Sequence, residues 1–126
     1  MSAAITVLMA DDDPDWRSLV SVVLERAGFQ VIGETIDSDH ALAAVARVVP
    51  SPVPNVMVLD NRMPGMSGLD VAKRLLADAP GQRIILLSAP LNAEARQRAR
   101  QIGISVCVSK ADVQSLPAVV NVLASS

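Results

Sequence analysis

Short apolar runs alternate along this chain with longer segments of helical period, and that alternation restricts the fold more than any other feature. The runs are Ile5 to Ala10, Phe29 to Ile36, Asn55 to Leu59, Arg83 to Leu87 and Ser105 to Val108. Val7, Leu8 and Met9 are consecutive in the first, as in a strand buried on both faces. The second is interrupted by Gly33.

The intervening segments carry helix boundaries. Asp13 can cap a helix whose first residue is Pro14, where the missing N–H costs nothing. Leu19, Val20, Val23 and Leu24 form its apolar stripe, and Gly28 supplies a left-handed stop. Asp37 or Ser38 can open a second helix that runs through Val48. Ser67 followed by Asp70 is a capping box for a third, through Ala77. Asn92 opens a fourth, and Gly103 ends it. For the last helix Asp112 and Ser115 are both competent caps. Pro117 is tolerated only in a first turn, which favours Ser115. The Pro50 to Pro54 stretch reads as a stiff surface loop.

The order is therefore βαβαβαβαβα, which predicts an α/β fold with a parallel sheet and helices on both faces. The natural arrangement is a flavodoxin-like (βα)5 unit, strand order 2-1-3-4-5, with its ligand crevice beyond the carboxyl ends of the strands where the order reverses. At 126 residues the chain, 1–126, fits one domain, and with 51% hydrophobic residues it can fill a core. A net charge of −2 argues against direct attraction to nucleic acid or to an anionic membrane. Arg96, Arg98 and Arg100 are interleaved with neutral residues and read as a solvated helix face. No apolar stretch reaches the ~20 residues of a membrane span, and Met1 to Met9 lacks the basic start of a signal peptide. A single cysteine, Cys107, excludes an internal disulfide and fits a cytoplasmic setting.

The carboxyl ends of the predicted strands carry chemistry. Asp11, Asp12 and Asp13 follow the first, Asp60 the third, Ser88 the fourth, and Ser109 and Lys110 the fifth. Carboxylates ~5 Å apart repel by roughly 3 kcal/mol at an effective dielectric of ~20. Asp11, Asp12 and Asp60 in one crevice would therefore raise one another's pKa values unless a cation entered. Hard oxygen ligands suit Mg²⁺, and Lys110 adds a fixed positive charge. An acceptor carboxylate, a cation site and an amine are the parts phosphoryl transfer needs, and an aspartate is a competent nucleophile for phosphorus.

Asp60-Asn61-Arg62-Met63-Pro64-Gly65-Met66-Ser67-Gly68 resembles the D-x-x-M-P-x-M-x-G segment of response-regulator receiver domains of two-component signalling, the CheY-like single-domain kind. Val7 to Pro14 resembles their first strand and acidic pair, Leu86-Leu87-Ser88-Ala89 the strand ending in Ser/Thr-Ala, and Val108-Ser109-Lys110 the strand ending in lysine. The match covers essentially the whole chain in order. The resemblance implies that Asp60 accepts a phosphoryl group and that Asp12 and Asp60 bind Mg²⁺ directly. The Arg62 backbone carbonyl would be a further ligand, and Asp11 would act mainly through water. It implies that Ser88 hydrogen-bonds a phosphoryl oxygen and moves on activation, and that Lys110 pairs with the phosphoryl group. Asp13 falls one place beyond the acidic pair and stays a helix cap. The implied donor is the phosphohistidine of a histidine kinase or phosphotransfer protein. The implied target is a downstream protein or an output domain outside this chain, and the family allows a phosphorylation-dependent dimer. His40, on the predicted second helix, is not the donor. Such a chain is not an enzyme toward outside substrates; its only turnover is self-phosphorylation and autodephosphorylation at Asp60.

Three departures from the family pattern involve four positions. Cys107 stands where Tyr or Phe is usual, and inert packing is the expectation for it. Ala111 follows the lysine where proline is common, so a trans peptide is expected. Arg62 and Pro90 offer neither acid nor amide to orient a hydrolytic water, which implies a long-lived phosphoryl group. Trp16 lies beside the acids and could report Mg²⁺ by fluorescence, with packing as its ordinary role; Met63 and Met66 fit loop packing. Two alternatives compete: a pseudo-receiver that binds partners without phosphorylation, and a haloacid-dehalogenase-type phosphatase. The second lacks the required aspartate two places after Asp60, where Arg62 stands.

Overall fold

The computed structural model describes residues 4–35, 54–62, 67–89 and 91–125, with backbone alone at 33–35. The predicted second helix, His40, Met63, Met66, Pro90 and all but the end of the Pro50 to Pro54 stretch lie outside the described residues. Pro54 itself is buried rather than on the surface.

The elements are β1 (Thr6–Ala10), α1 (Pro14–Arg26), β2 (Gln30–Thr35), β3 (Val56–Asp60), α2 (Gly68–Asp78), β4 (Ile84–Ser88), α3 (Ala93–Ile102), β5 (Val106–Ser109), a 3₁₀ turn (Lys110–Ser115) and α4 (Leu116–Ser125). The strands form one parallel sheet in the expected order, β2-β1-β3-β4-β5. A register shift in β2 falls just before Gly33: Val7 pairs with Val31 and Leu8 with Gly33, so Ile32 is the extra residue.

Period-two alternation sends each strand's side chains to opposite faces. Leu8, Met57, Leu59, Ile84 and Leu86 pack with α2 and α3 through Leu69, Val71, Leu75 and Ala99. Val7, Met9, Val56, Val58, Ile85 and Leu87 pack with α1 and α4 through Val20, Leu24, Leu116 and Val120. Each fully buried Leu or Ile in these layers contributes roughly 1.5–3 kcal/mol. The helix after β1 thus lies on one face and the helix after β3 on the other, although the two strands are neighbours. Their connections diverge and leave a crevice at the strand ends.

The caps follow the expected chemistry. Asp13 accepts from the Asp15 N–H at 2.9 Å, Ser67 from Asp70 at 3.2 Å and Asn92 from Ala95 at 2.9 Å. Gly28 and Gly103 take the left-handed conformation, φ 91° and 101°. Ser115 does precede the last helix, with Pro117 in the first turn. Its hydroxyl, however, donates to the Asp112 carbonyl at 2.7 Å, because a 3₁₀ turn leads into α4.

Three strands run one residue further than the apolar pattern predicts. β3, β4 and β5 end on Asp60, Ser88 and Ser109, and the last ladder positions pair Asp60 with Leu87 and Ser88 with Ser109. Parallel pairing holds these backbones whatever their side chains, so the polar residues at the strand ends are the final rungs of the sheet.

Candidate functional site

The fold brings Asp11, Asp12 and Asp60 to one rim. Each offers a carboxylate oxygen, and these oxygens all lie within 4.8 Å of one another. Asp60 ends β3 and is buried; Asp11, just past β1, is buried too, and Asp12 is exposed at the mouth. Lys110 Nζ, at the start of the 3₁₀ turn, lies 3.2 Å from Asp11 Oδ2 and 3.5 Å from Asp60 Oδ2. Ser88, also buried, ends β4, one residue beyond the Leu87 that pairs with Asp60. Arg62 is exposed, and its backbone N–H donates to the Asp60 carboxylate.

Burial raises the Asp60 pKa, and Asp11 raises it further. Lys110 and the Arg62 N–H pull it back only in part, so it stands at about 6 against the usual 3.8. Between these values the folded protein holds a proton that the unfolded chain has lost, so stability falls as pH rises from about 4 to about 6. At neutral pH the full cost of the buried charge is present. We expect Mg²⁺ to flatten this dependence and to raise the denaturation midpoint near pH 7 more than near pH 4. Unfolding curves at the two pH values, with and without the ion, measure it; equal Mg²⁺ stabilisation at both would contradict the assignment.

The chemistry of the donors fits a hard divalent cation. All are oxygens, and Lys110 balances only one of three carboxylate charges. Asp11 Oδ1 accepts from the Asp13 N–H at 2.9 Å; among the described residues buried Asp11 Oδ2 has no hydrogen bond and faces only the Lys110 ammonium at 3.2 Å. That ammonium is shared with Asp60, so one positive charge serves two buried carboxylates and leaves room for a further cation.

Four supporting residues carry little or no sequence signal. Arg17 Nη1 donates to the Asp11 carbonyl at 3.0 Å, tying α1 to the end of β1. Asn61 accepts the Gly68 N–H on its carbonyl at 3.1 Å and the Leu69 N–H on its side chain at 3.3 Å, closing the acceptor loop onto α2. Gly68 sits so close to β3 that a Cβ would overlap the Asp60 carbonyl oxygen and lie 2.9 Å from Asn61 Cα. Trp16, half-buried, faces Lys110 Nζ at 4.8 Å from the ring centroid. Asn61 and Gly68 stand in the acceptor segment and Trp16 was placed beside the acids, but none of these contacts could be read from the sequence, and Arg17 left no signal there.

Cys107 is half-buried on β5 against the α2/α3 layer. Burial raises its thiol pKa more than Arg96 and Arg100 lower it, in keeping with inert packing. All three arginines of α3 are solvent-exposed, as expected.

The sequence model of the response regulator receiver domain matches residues 7–121. The chain belongs to the response-regulator receiver family. This receiver is 39% identical over 85 residues to the DNA-binding response regulator MtrA of Mycolicibacterium smegmatis, covering 66% of this chain and 34% of that protein. It is 36% identical over 113 residues to a protein-glutamate methylesterase/protein-glutamine glutaminase of Rhizobium etli, covering 87% of this chain and 31% of that protein. The receiver therefore spans about a third of the length of these curated relatives. Among solved structures, the receiver domain of the Francisella response regulator 1452 superposes with a TM-score of 0.83 at 25% identity, covering 95% of this chain and 96% of that one. Among the described residues of the receiver no helix is long and apolar enough to cross a membrane.

Proposed function

We propose that this receiver takes one phosphoryl group onto Asp60 from the phosphohistidine of a histidine kinase or phosphotransfer protein, and that the resulting change of shape controls an output domain or a separate protein partner in the cytoplasm. The observation that carries this reading is the placement of Asp60: a buried nucleophilic carboxylate on the last rung of β3, within 4.8 Å of two further acids and 3.5 Å from Lys110. An Asp60 oxygen forms the bond to phosphorus as the bond to the donor's nitrogen breaks and the histidine leaves. Asp11, Asp12, Asp60 and the Arg62 backbone carbonyl are the groups that would hold Mg²⁺. A bound Mg²⁺ would supply neutralisation of charge on the transferred oxygens. Lys110 offers a second positive charge, and Ser88 a hydroxyl at the adjacent strand end. No turnover of an outside substrate is expected.

Incubation with acetyl phosphate tests this reading. The intact mass should gain one phosphoryl group with Mg²⁺ present and none after chelation. Absence of labelling with Mg²⁺ would instead leave a binding module that is never phosphorylated. Lys110→Ala should slow transfer by about 100–1,000-fold, the scale of losing one donor to the transition state, while abolishing the spectroscopic shift that accompanies labelling. Wild-type rate and shift in that variant would remove Lys110 from the mechanism.

A further inference from the structure

Lys110 is held from two sides. Its ammonium lies 3.2 and 3.5 Å from carboxylate oxygens of Asp11 and Asp60, and on another side it faces the Trp16 ring at 4.8 Å from the centroid. The lysine side chain is only 12% exposed. Trp16 is the third residue of α1, and that helix start is fixed three times over: by the Asp13 cap, by Pro14 and by the Arg17 bond to the Asp11 carbonyl. The ring also packs against the α1/α4 core layer, so its position is that of the scaffold.

The two restraints respond differently to a cation. Asp11 and Asp60 are the groups that a divalent ion would engage, and its charge weakens their hold on the ammonium and repels it. The attraction of the indole comes from its quadrupole, which neither titrates nor is taken up by the ion. An unbranched lysine released by its carboxylates would otherwise sample many rotamers.

We propose that Trp16 is a positioning residue for phosphoryl transfer: its ring keeps the Lys110 ammonium in the pocket while Asp11 and Asp60 are engaged by the metal, so that the lysine meets the incoming phosphoryl oxygens. This rests on the reading of Asp60 as the acceptor. Trp16 touches no reacting atom and acts through Lys110.

The test uses the wild type, Trp16→Leu, which keeps apolar bulk without a ring, and Trp16→Phe, which keeps a π face. In the metal-free wild type, the Lys110 ε-methylene protons should be shifted upfield by the ring current, and in Trp16→Leu this shift should vanish. With acetyl phosphate at saturating Mg²⁺, the Asp60 oxygen bonds to phosphorus as acetate leaves. Trp16→Leu should lower the maximal rate of this step about tenfold, and Trp16→Phe should remain within about threefold of wild type. Mg²⁺ affinity should change less than about twofold in both. The proposal is overturned by unshifted ε-protons in the wild type, by a wild-type rate in Trp16→Leu, or by Trp16→Phe as slow as Trp16→Leu. A wild type that takes no phosphoryl group while its ε-protons are shifted would instead fail the acceptor reading, and the positioning role with it.

Discussion

Asp60→Asn is expected to abolish stable phosphorylation and to make the metal-free protein more stable. The first effect follows from removing the nucleophile, because an amide does not form a stable phosphoryl adduct in its place. The second follows from the pKa. Ionised Asp60 is buried beside Asp11, and its pKa of about 6 against 3.8 measures the cost of that charge in the fold. At neutral pH the cost is at most about 3 kcal/mol. Asparagine keeps the shape and an oxygen that can accept from the Arg62 N–H, and it carries no charge. Denaturant unfolding should therefore place the variant above the metal-free wild type near pH 7, with the two converging near pH 4. The same comparison in saturating Mg²⁺ should narrow or reverse, since the variant loses a ligand. A less stable variant at neutral pH without metal would show that Asp60 serves the fold, not a function that burdens it.

Gly68→Ala should be the most damaging single-methyl change near the site. The added Cβ meets backbone, not a flexible side chain: it would overlap the Asp60 carbonyl oxygen and crowd Asn61 Cα at 2.9 Å. Relief requires moving either the end of β3 or the start of α2. The first carries Asp60, and the second is bound to Asn61 through Gly68 and Leu69. Overpacking of this kind costs about 1–3 kcal/mol, and the upper end applies because the obstacle is main chain. The displacement also enters the acidic cluster, so Mg²⁺ affinity should fall by about tenfold or more. Calorimetric unfolding and a Mg²⁺ titration measure the two effects. An alanine variant with wild-type stability and affinity would mean that α2 can give way at β3 without disturbing the site.

The strands themselves and the polar residues at their carboxyl ends were legible because each depends on a local pattern; the strand order came from the usual arrangement of five-stranded sheets of this kind. Consecutive apolar residues at Val7 to Met9 mark a strand buried on both faces, and caps such as Asp13 and Asn92 hydrogen-bond within their own first turn. In a parallel sheet the residues that follow such runs must share one edge, so Asp11, Asp12, Asp60, Ser88 and Lys110 fall together without any long-range information. What was hidden depends on pairing or on distance in three dimensions. The apolar runs stop at Leu59, Leu87 and Val108, one residue short of the paired strand ends, because polarity marks the end of an apolar run but not the end of a hydrogen-bonded ladder. The contact of Trp16 with Lys110 joins residues at opposite ends of the chain across the α1 face, and no spacing rule reports it. The steric demand at Gly68 depends on how closely α2 approaches β3, which is a property of packing.

Reductive trapping of the phosphorylated protein followed by peptide mapping addresses the acceptor directly. Borohydride converts an aspartyl phosphate to homoserine, so the modified residue records which carboxylate held phosphorus. After acetyl phosphate and Mg²⁺, homoserine should be found at position 60 alone, and chelation should abolish it. Homoserine at Asp11 or Asp12, or a phosphoester on a serine with position 60 unmodified, would contradict the assignment.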